Sequence, residues 1–254
     1  MKVSGYSALV TGGGSGMGEA TARALAAEGA KVSILDVQIE AARKVADEIN
    51  GLAVECDVTD AGSVEIGVAQ ARDAHGAARI CVNCAGIATA KRIVGRDGPM
   101  PLEQFTRVIN VNLNGTFNVL RIAAADMQTL GAVGESGERG VIVNTASVAA
   151  YEGQIGQAAY SASKGGVVAL TLPAAREFAS TGIRVLTIAP GLIATPMLYG
   201  LPEEAQKSLA EQVPFPRRLG RPDEFSSLVL HIIGNEMLNG EVIRLDGAIR
   251  LAPR

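Results

Sequence analysis

A tyrosine and a lysine that could move a proton lie four residues apart, at Tyr160 and Lys164. The surrounding pattern predicts a helix over residues 157–180, and this spacing places both side chains on one helix face. The phenol of a tyrosine ordinarily has a pKa of about 10. A neighbouring ammonium favours the phenolate and should lower that pKa, as interconversion of an alcohol and a carbonyl requires. Alone, the pair also fits a helix with an amphipathic tyrosine and a solvated lysine.

A glycine-rich turn near the start of the chain could bind phosphate groups. The sequence Thr-Gly-Gly-Gly-Ser-Gly-Met-Gly at 11–18 follows a predicted strand at 6–11 and precedes a predicted helix. Glycine lets the backbone approach a pyrophosphate, and the helix N-terminus offers free N–H groups. A flexible loop is the alternative. The spacing is Thr-Gly-x-x-x-Gly-x-Gly rather than G-x-G-x-x-G, and we predict dinucleotide contacts at Gly12, Ser15, Gly16, Met17 and Gly18.

Two aspartates follow the next predicted strands. Asp36 closes the strand at 31–35 and could accept hydrogen bonds from an adenosine ribose. Its carboxylate would repel a 2′-phosphate, and no Arg or Lys follows within Asp36–Ile39, so NAD is predicted over NADP. Asp57 and Val58, after the strand at 52–56, could hold the adenine ring. Both aspartates could instead cap the helices that follow them.

Short apolar strands alternate with helices along the whole chain. This alternation predicts an α/β fold, a doubly wound parallel sheet flanked by helices, as a single domain over residues 1–254. The 254 residues and 48% hydrophobic content are sufficient for such a core. The predicted strands lie at 6–11, 31–35, 52–56, 79–83, 141–146, 183–189 and 242–245, with later helices at 61–75, 102–130 and 157–180.

Ligands of such sheets bind at the carboxyl ends of the strands. Polar residues and chain breakers fall at those ends, so one site could gather them: Gly12, Asp36, Asp57, Asn83, Ser147 and Pro190. Residues 191–219 are the longest predicted irregular stretch and contain four prolines. A stretch of that length in a compact domain predicts a substrate lid.

Charge and composition argue against several function classes. A net charge of −3 and a pI near 5.5 give no general attraction for nucleic acid or anionic membranes. Without a long apolar run or room for a targeting peptide before the first strand, a cytoplasmic protein is expected. Cys81 and Cys84 have the C-x-x-C spacing, but only His75 and His231 could complete a site. We therefore expect Cys81 to be a small buried residue on a strand, Cys84 to lie just beyond the strand end, and no metal.

Together and in order, these motifs resemble the classical short-chain dehydrogenase/reductase family. They are the glycine turn, Asn83-x-Ala85-Gly86, Ser147, Tyr160-x-x-x-Lys164 and Pro190-Gly191. The resemblance implies a seven-stranded Rossmann fold and a proton relay of Asn112, Ser147, Tyr160 and Lys164. Spacing alone does not separate Asn112 from Asn110 and Asn114, but the family's N-L-x-G pattern selects Asn112. It also implies cofactor contacts at Asn83, Cys84, Ala85, Gly86, Tyr160, Lys164, Pro190, Gly191, Ile193 and Thr195.

Further segments resemble the branch of that family that oxidises 3-hydroxyacyl-CoA. They include residues 144–150, 153–154, 156–160, 212–216 and 239–248, although Tyr151 replaces a phenylalanine of that branch. The resemblance implies NAD-linked oxidation of 3-hydroxyacyl-CoA by a homotetramer. A hydroxysteroid dehydrogenase and an acetoacetyl-CoA reductase remain alternatives, as does a catalytically silent NAD-binding scaffold. The complete set of Ser147, Tyr160 and Lys164 argues against the scaffold.

The substrate end is predicted from residues near these motifs. Gln154 and Gln157 offer polar contacts near the reacting oxygen, together with Ser147 and Tyr160. An apolar wall for the acyl chain is expected from Leu192, Ile193, Met197, Leu198 and Leu201. Lys91, Arg92 and Arg96 could meet the phosphates of coenzyme A, or they could form a solvated face.

Overall fold

The computed structural model describes residues 1–199 and 202–253. Its strands are β1 (Ser7–Thr11), β2 (Lys31–Asp36), β3 (Leu52–Glu55), β4 (Ile80–Asn83), β5 (Val94–Gly95), β6 (Gly98–Pro99), β7 (Gly140–Thr145), β8 (Ile183–Pro190) and β9 (Val242–Leu245). Within the described residues, seven of them form one parallel sheet in the order β3-β2-β1-β4-β7-β8-β9. β5 and β6 form a separate antiparallel hairpin. The predicted doubly wound Rossmann fold is confirmed.

Helices cover both faces of the sheet. They are α1 (Gly16–Ala27), α2 (Ile39–Ile49), α3 (Ala61–His75), α4 (Leu102–Ile109), α5 (Gly115–Gln128), α6 (Ala158–Phe178), α7 (Pro196–Tyr199), α8 (Glu203–Glu211) and α9 (Pro222–Gly234). One core lies between the sheet and α1, α2 and α9, and a second lies between the sheet and α3, α5 and α6. Parallel strands buried on both faces account for their nearly continuous apolar sequences.

The predicted helix at 102–130 is interrupted. A π-helical turn at Asn110–Asn114 separates α4 from α5. Apolar periodicity does not reveal such a turn, because one extra residue only rotates the pattern that follows it. Gly115 is the first residue of α5 and packs against the loop that follows β3. A Cβ added at Gly115 would lie 2.5 Å from the Val58 side chain. Turns of this kind inside helices often mark functional sites.

The stretch at 191–219 is more ordered than predicted. It contains α7 and α8, and Pro196 is the first residue of α7 while Pro202 immediately precedes α8. Proline is tolerated at the start of a helix, because its missing N–H would have no partner there. The prolines therefore begin these helices instead of preventing them.

A row of buried polar side chains crosses the sheet near its carboxyl edge. Thr11, Asn83, Asn144 and Thr187 occupy paired positions on β1, β4, β7 and β8, and none is more than 2% exposed. Asn83 Nδ2 donates to Asn144 Oδ1 at 2.9 Å. The Thr187 hydroxyl lies 2.6 Å from that of Thr171 on α6. The row thus connects the sheet to the helix that carries Tyr160 and Lys164.

Candidate active site

A cavity of about 1000 Å³ opens at the carboxyl ends of the strands. One end is lined by the β1–α1 turn and the end of β2, and the other by the chain around α6, α7 and α8. Almost all of the predicted cofactor residues line it: Gly12, Ser15, Gly16, Met17, Gly18, Asp36, Asp57, Val58, Cys84, Ala85, Gly86, Pro190, Gly191, Ile193 and Thr195. Asn83 does not, because its side chain is buried below the cavity against Asn144.

The β1–α1 turn is closely packed against its surroundings. An added Cβ at Gly18 would collide with the carbonyl oxygen of Gly12. Gly12 has φ +63°, and a Cβ there would lie 2.8 Å from the Ala85 nitrogen. Ser15 precedes α1 without capping it through its side chain, so the free N–H groups of the first turn remain available. This arrangement suits a bound pyrophosphate.

Asp36 lies at the floor of the same end of the cavity. Its Oδ2 accepts from Gly14 N at 2.9 Å, and its Oδ1 accepts from Gln38 N at 2.9 Å. It does not cap α2, because Gln38 occupies the N-cap position. Asp57 is not a cap either, since Asp60 caps α3 by accepting from Ser63 N at 2.6 Å. The capping alternative is therefore wrong for both aspartates.

A threonine that sequence analysis missed joins two of the cavity's turns. The Thr11 hydroxyl oxygen accepts from the backbone N–H groups of Cys84 and Ala85, each at 3.1 Å. The turn after β4 is thereby fixed to the turn after β1. The side-by-side pairing of these two strands is the signal that would have indicated this contact, and a single sequence does not specify that pairing.

Ser147, Tyr160 and Lys164 all line the cavity at its centre. Ser147 follows β7 and its Oγ accepts from Ala149 N at 3.1 Å. Lys164 is 4% exposed, and its Nζ donates to the carbonyl oxygen of Thr145 at 2.7 Å. The same Nζ lies 5.9 Å from the centroid of the Tyr160 ring. The predicted spacing therefore brings the phenol and the ammonium into one pocket.

The predicted lowering of the Tyr160 pKa is wrong for this structure. Burial raises the pKa of Tyr160, and a hydrogen bond with Ser147 opposes that rise. Burial also lowers the pKa of Lys164 to about 8. The ammonium is directed at the Thr145 carbonyl, so in this state the hydroxyl of Ser147, rather than Lys164, favours the phenolate.

The structure distinguishes Asn112 from its two asparagine neighbours. Asn112 is fully buried in the π-helical turn, where its Oδ1 accepts from Ile87 N at 2.8 Å. Its Nδ2 donates to the Ile87 carbonyl at 2.9 Å and to Ser163 Oγ at 3.0 Å. Asn114 instead donates to Asn110 on the exposed side. A Cβ at Gly86 would lie 3.3 Å from Asn112 Oδ1 and 3.5 Å from Lys164 Nζ, so the three residues are adjacent.

The other end of the cavity is apolar. Leu192, Ile193 and Leu198 line it as predicted, and Leu209 and Leu251 add to it. Sequence analysis missed the last two, because nothing in the local pattern connects α8 or the 249–253 segment to the site. Leu201 lies outside the described residues, and Met197 is part of α7.

Gln154 and Gln157 line the cavity, but their amides are already engaged. Gln157 Oε1 accepts from Gln154 N at 3.0 Å. Gln154 Nε2 donates to the carbonyl oxygen of Ala252 at 3.0 Å. The structure thus brings both glutamines to the predicted place, with Gln154 holding a neighbouring segment of chain.

The predicted basic cluster lies outside the main cavity. Lys91, Arg92 and Arg96 are all exposed and none contributes to its lining. Arg92 lines a second, shallow cavity of about 600 Å³ that shares Gln154 with the first. Lys91 is anchored beside it through its backbone N–H, which donates to the Gly156 carbonyl at 2.8 Å.

The three cysteines are free thiols in the part of the chain that the structure describes; Cys56 and Cys81 are buried, and Cys84 is half-buried at the cavity. Burial raises the pKa of Cys81 to about 12 and that of Cys84 to about 11. Within residues 1–199 and 202–253, no three His, Cys, Asp or Glu side chains lie close enough together to hold a metal ion. None of the helices in those ranges has the length and apolar character that a membrane span needs.

Comparisons with known proteins agree with this geometry. Residues 6–206 match the family model described as short chain dehydrogenase. The chain is 51% identical to 3-hydroxyacyl-CoA dehydrogenase type-2 of Homo sapiens, over 99% of this chain and 97% of that protein. It is 35% identical to the 3-oxoacyl-[acyl-carrier-protein] reductase FabG of Thermotoga maritima, over 98% and 99%.

Solved structures show the same likeness. The crystal structure of 3-hydroxyacyl-CoA dehydrogenase type-2 from Mycobacterium avium has a TM-score of 0.92 and 46% identity, with 98% of each chain covered. A 3-ketoacyl-(acyl-carrier-protein) reductase from Brucella melitensis, complexed with NADH, has a TM-score of 0.86 and 30% identity over 98% of this chain and all of that one. The protein described here is therefore a member of the short chain dehydrogenase family, an oxidoreductase that uses a nicotinamide cofactor.

Proposed function

We propose that this chain is an NAD-dependent dehydrogenase that interconverts the 3-hydroxy and 3-oxo groups of an acyl-CoA. The observation that supports this most directly is the cavity itself. It has the glycine turn and Asp36 at one end, Ser147, Tyr160 and Lys164 at its centre, and leucines at the other. The choice of 3-hydroxyacyl-CoA as the substrate class is supported by the 51% sequence identity to dehydrogenases that are named for it.

The cofactor end favours NAD. Gly12, Gly16 and Gly18 allow the turn to pack closely against neighbouring chain, and the first turn of α1 offers N–H donors to a pyrophosphate. Asp36 is held with its carboxylate in the cavity, where it would accept from ribose hydroxyls and repel a 2′-phosphate. Lys164 would hold the nicotinamide ribose, and Ile193 would fix the carboxamide and so the ring face. When bound, the nicotinamide supplies the hydride acceptor for alcohol oxidation and the donor for the reverse reaction.

Proton transfer is assigned to the central group. In the direction of oxidation, Tyr160 accepts the proton of the substrate hydroxyl. Ser147 donates a hydrogen bond to the same oxygen and orients it. Lys164, held by the Thr145 carbonyl, and Asn112 both adjoin Gly86, and Asn112 would complete a water-mediated path that carries the proton to solvent. Reduction of a 3-oxo group uses these steps in reverse.

The acyl chain would lie under the 191–219 lid, against Leu192, Leu198 and Leu209. The phosphates of coenzyme A would then lie near the cavity mouth. Arg92 borders the shallow cavity that adjoins the main one through Gln154, so Lys91 and Arg92 are the better placed of the basic candidates. Arg96 lies further along, between the two strands of the β5–β6 hairpin.

A hydroxysteroid dehydrogenase and an acetoacetyl-CoA reductase are the competing functions, because the same catalytic group serves both. We expect NADH-dependent reduction of acetoacetyl-CoA to be at least about tenfold more efficient than that of steroid ketones or free acetoacetate esters. The measurement is kcat/KM on each substrate with one enzyme preparation. Equal efficiency on a steroid ketone would move the assignment to the hydroxysteroid class, and inactivity on every CoA ester would remove it.

We also propose that the protein works as a homotetramer. Phe117 on α5 and Leu172 on α6 are 49% and 43% exposed, although both helices bury another face against the sheet. Large apolar side chains left exposed on long helices suit helix pairing between subunits. Light scattering at micromolar concentration should give four times the chain mass, and a stable monomer would refute the proposal.

A further inference from the structure

A segment far from Tyr160 in sequence forms part of the apolar end of the cavity. Along residues 249–252, which lie beside the cavity, buried or half-buried side chains alternate with exposed ones. Ile249 is 1% exposed, Arg250 projects outward, and Leu251 lines the cavity beside the catalytic chain segments. Such alternation is what an extended segment produces. Leu251 is therefore the side chain that this segment presents to the site.

The segment is fastened to the loop that follows the catalytic serine. Ile155 N donates to the carbonyl oxygen of Pro253 at 3.0 Å. Gln154 Nε2 donates to that of Ala252 at 3.0 Å. Two successive carbonyls are thus held by two successive residues, and Leu251 is the residue that directly precedes them in the chain. Its position in the cavity depends on this attachment.

A network of charges secures the other side of the segment. Arg244 forms two bonds with Glu152, at 2.8 and 2.9 Å, and a third with Asp246 at 2.7 Å. It also donates to the Ile249 carbonyl at 3.1 Å. Arg250 reaches both carboxylates, Glu152 at 3.3 Å and Asp246 at 3.2 Å. A paired Arg–carboxylate contact of this geometry fixes orientation as well as adding energy.

Leu251 lines the same cavity as the leucines that the lid contributes. Leu192 precedes α7, Leu198 lies on it, and Leu209 lies on α8; all line the cavity that Leu251 also lines. The lid and the 249–253 segment come from separate parts of the chain, so the space between them is set by how firmly each is held. A hydrocarbon chain extending from the catalytic centre would meet both walls.

We propose that Leu251 is a specificity-determining residue, which limits the length of the acyl chain, and that Glu152 and Gln154 are positioning residues that hold it in place. The proposal rests on the proposed function, because it needs an acyl-CoA substrate. Each methylene group that becomes buried is worth about fourfold in binding. A wall that accepts or rejects a few methylene groups therefore changes relative kcat/KM by one or more orders of magnitude.

The test measures NADH-dependent kcat/KM on acetoacetyl-CoA, 3-oxohexanoyl-CoA and 3-oxodecanoyl-CoA. The informative quantity is the ratio of the longest substrate to acetoacetyl-CoA. Leu251→Phe should lower this ratio at least about tenfold, and Leu251→Ala should raise it, because one fills and the other enlarges the end of the cavity. Leu251→Met conserves volume and should keep the wild-type ratio within about threefold.

Glu152→Gln removes one charge from the network without altering its shape. The ratio of kcat/KM on 3-oxodecanoyl-CoA to kcat/KM on acetoacetyl-CoA should then move closer to one, because the less firmly held 249–253 segment no longer limits the length of the acyl chain. A merely structural role would lower all three kcat/KM values alike and leave the ratio unchanged. Light scattering on each variant separates this from a change in assembly.

Each outcome decides between the two proposals. If the wild-type enzyme reduces these substrates and the ratio is the same in Leu251→Phe, Leu251→Ala and wild type, the role of Leu251 is refuted while the proposed function stands. If the wild-type enzyme reduces no acyl-CoA, both fall together. If Leu251→Phe does not fold, the Leu251→Ala ratio alone decides the matter.

Discussion

The two ends of the cavity are built in different ways. The cofactor end consists of backbone turns that cannot accept larger side chains, with Gly18 against the Gly12 carbonyl and Gly12 against Ala85. The substrate end consists of side chains from separate segments, chiefly the lid helices and Leu251. At the cofactor end, the close packing of the turns after β1 and β4 leaves no space for larger side chains. At the substrate end, hydrogen bonds such as those of Gln154 with Ala252 and of Arg244 with Glu152 hold the segments in place. We therefore expect substitutions at the cofactor end to weaken or abolish cofactor binding, and substitutions at the substrate end to change which substrates are preferred.

The largest effect is expected at the centre, where the two ends meet. Tyr160→Phe removes the proton acceptor and keeps the ring, so kcat should fall at least about a hundredfold. Fluorescence titration should show NADH binding nearly unchanged. Retention of more than about a tenth of the wild-type kcat, a loss below roughly 1.4 kcal/mol, would contradict the role of the tyrosine.

Steric exclusion at the cofactor end is tested by one added methyl group. Gly18→Ala should weaken NADH binding by about a hundredfold or more, because the new Cβ collides with the Gly12 carbonyl oxygen and displaces the turn. The matched control is Gly62→Ala on α3, where an added Cβ meets only Asp60 Oδ1, at 3.4 Å. Equal NADH affinity in the two variants would show that the turn is not fixed by this contact.

The buried ammonium between the two ends should reduce stability. The folded-state pKa of Lys164 is lowered to about 8, so at neutral pH the charged form is present at a cost. Between about pH 8 and the ordinary lysine pKa of about 10.4, the unfolded chain binds more protons than the folded one, so the free energy of unfolding rises with pH. Lys164→Met should therefore increase the free energy of unfolding at pH 7 by on the order of 2 kcal/mol while abolishing turnover.

Urea unfolding of both proteins at pH 7 and pH 10 measures this difference. The advantage of the methionine variant should shrink at the higher pH, because the wild-type lysine is then largely neutral in the folded state. An advantage that grows with pH would contradict the lowered pKa.

A smaller change is expected at Asp36, the residue proposed to select NAD, which touches the glycine turn only through its hydrogen bond from Gly14 N. Asp36→Ala should weaken NAD binding and reduce the preference for NAD over NADP by about tenfold. Steady-state kinetics with both cofactors measure it. A higher kcat/KM with NADP in the wild-type enzyme would make the assignment wrong.

The smallest effect is expected at the rim of the substrate end. Charge reversal at Lys91 and Arg92 should raise KM for acetoacetyl-CoA several-fold and leave KM for NADH unchanged, because exposed charges are screened by water and salt. The same double charge reversal at Arg43 and Lys44, two exposed residues on α2, serves as the control. If the Lys91 and Arg92 change has no larger effect, these residues form a solvated face.

The cofactor end could be predicted from sequence because its signals are local. A strand, a glycine turn and a helix follow one another, and Asp36 lies at the next strand end, so chain order alone brings them together. The interruption at Asn110–Asn114 could not be predicted, since the apolar pattern continues through it. Leu209 and Leu251 were missed because their proximity to the site depends on tertiary contacts of α8 and of Arg244.

The pKa of Tyr160 shows a different limit of sequence analysis. Spacing placed Lys164 beside the phenol, but the direction of the ammonium toward Thr145 and the extent of burial are three-dimensional properties. Homotetramer assembly, the cytoplasmic location and the roles assigned to the individual site residues remain predictions.

The buried pair of Asn83 and Asn144 has a consequence for how the strands find their partners. Apolar parallel strands such as β4 and β7 can pair with nearly equal energy in several alignments, because one valine or isoleucine replaces another. A slip by one residue would separate the two amides and place Asn83 opposite Val143 or Thr145. The slipped sheet would lose this hydrogen bond and leave Asn83 Nδ2 and Asn144 Oδ1 unsatisfied in addition to Asn144 Nδ2, which has no partner among the described residues; each such buried group costs about 1–3 kcal/mol. The pair thus makes misaligned sheets less stable. Because Ser147 lies two residues after β7, the correct alignment of β7 with β4 also fixes the position of Ser147 at the carboxyl edge of the sheet.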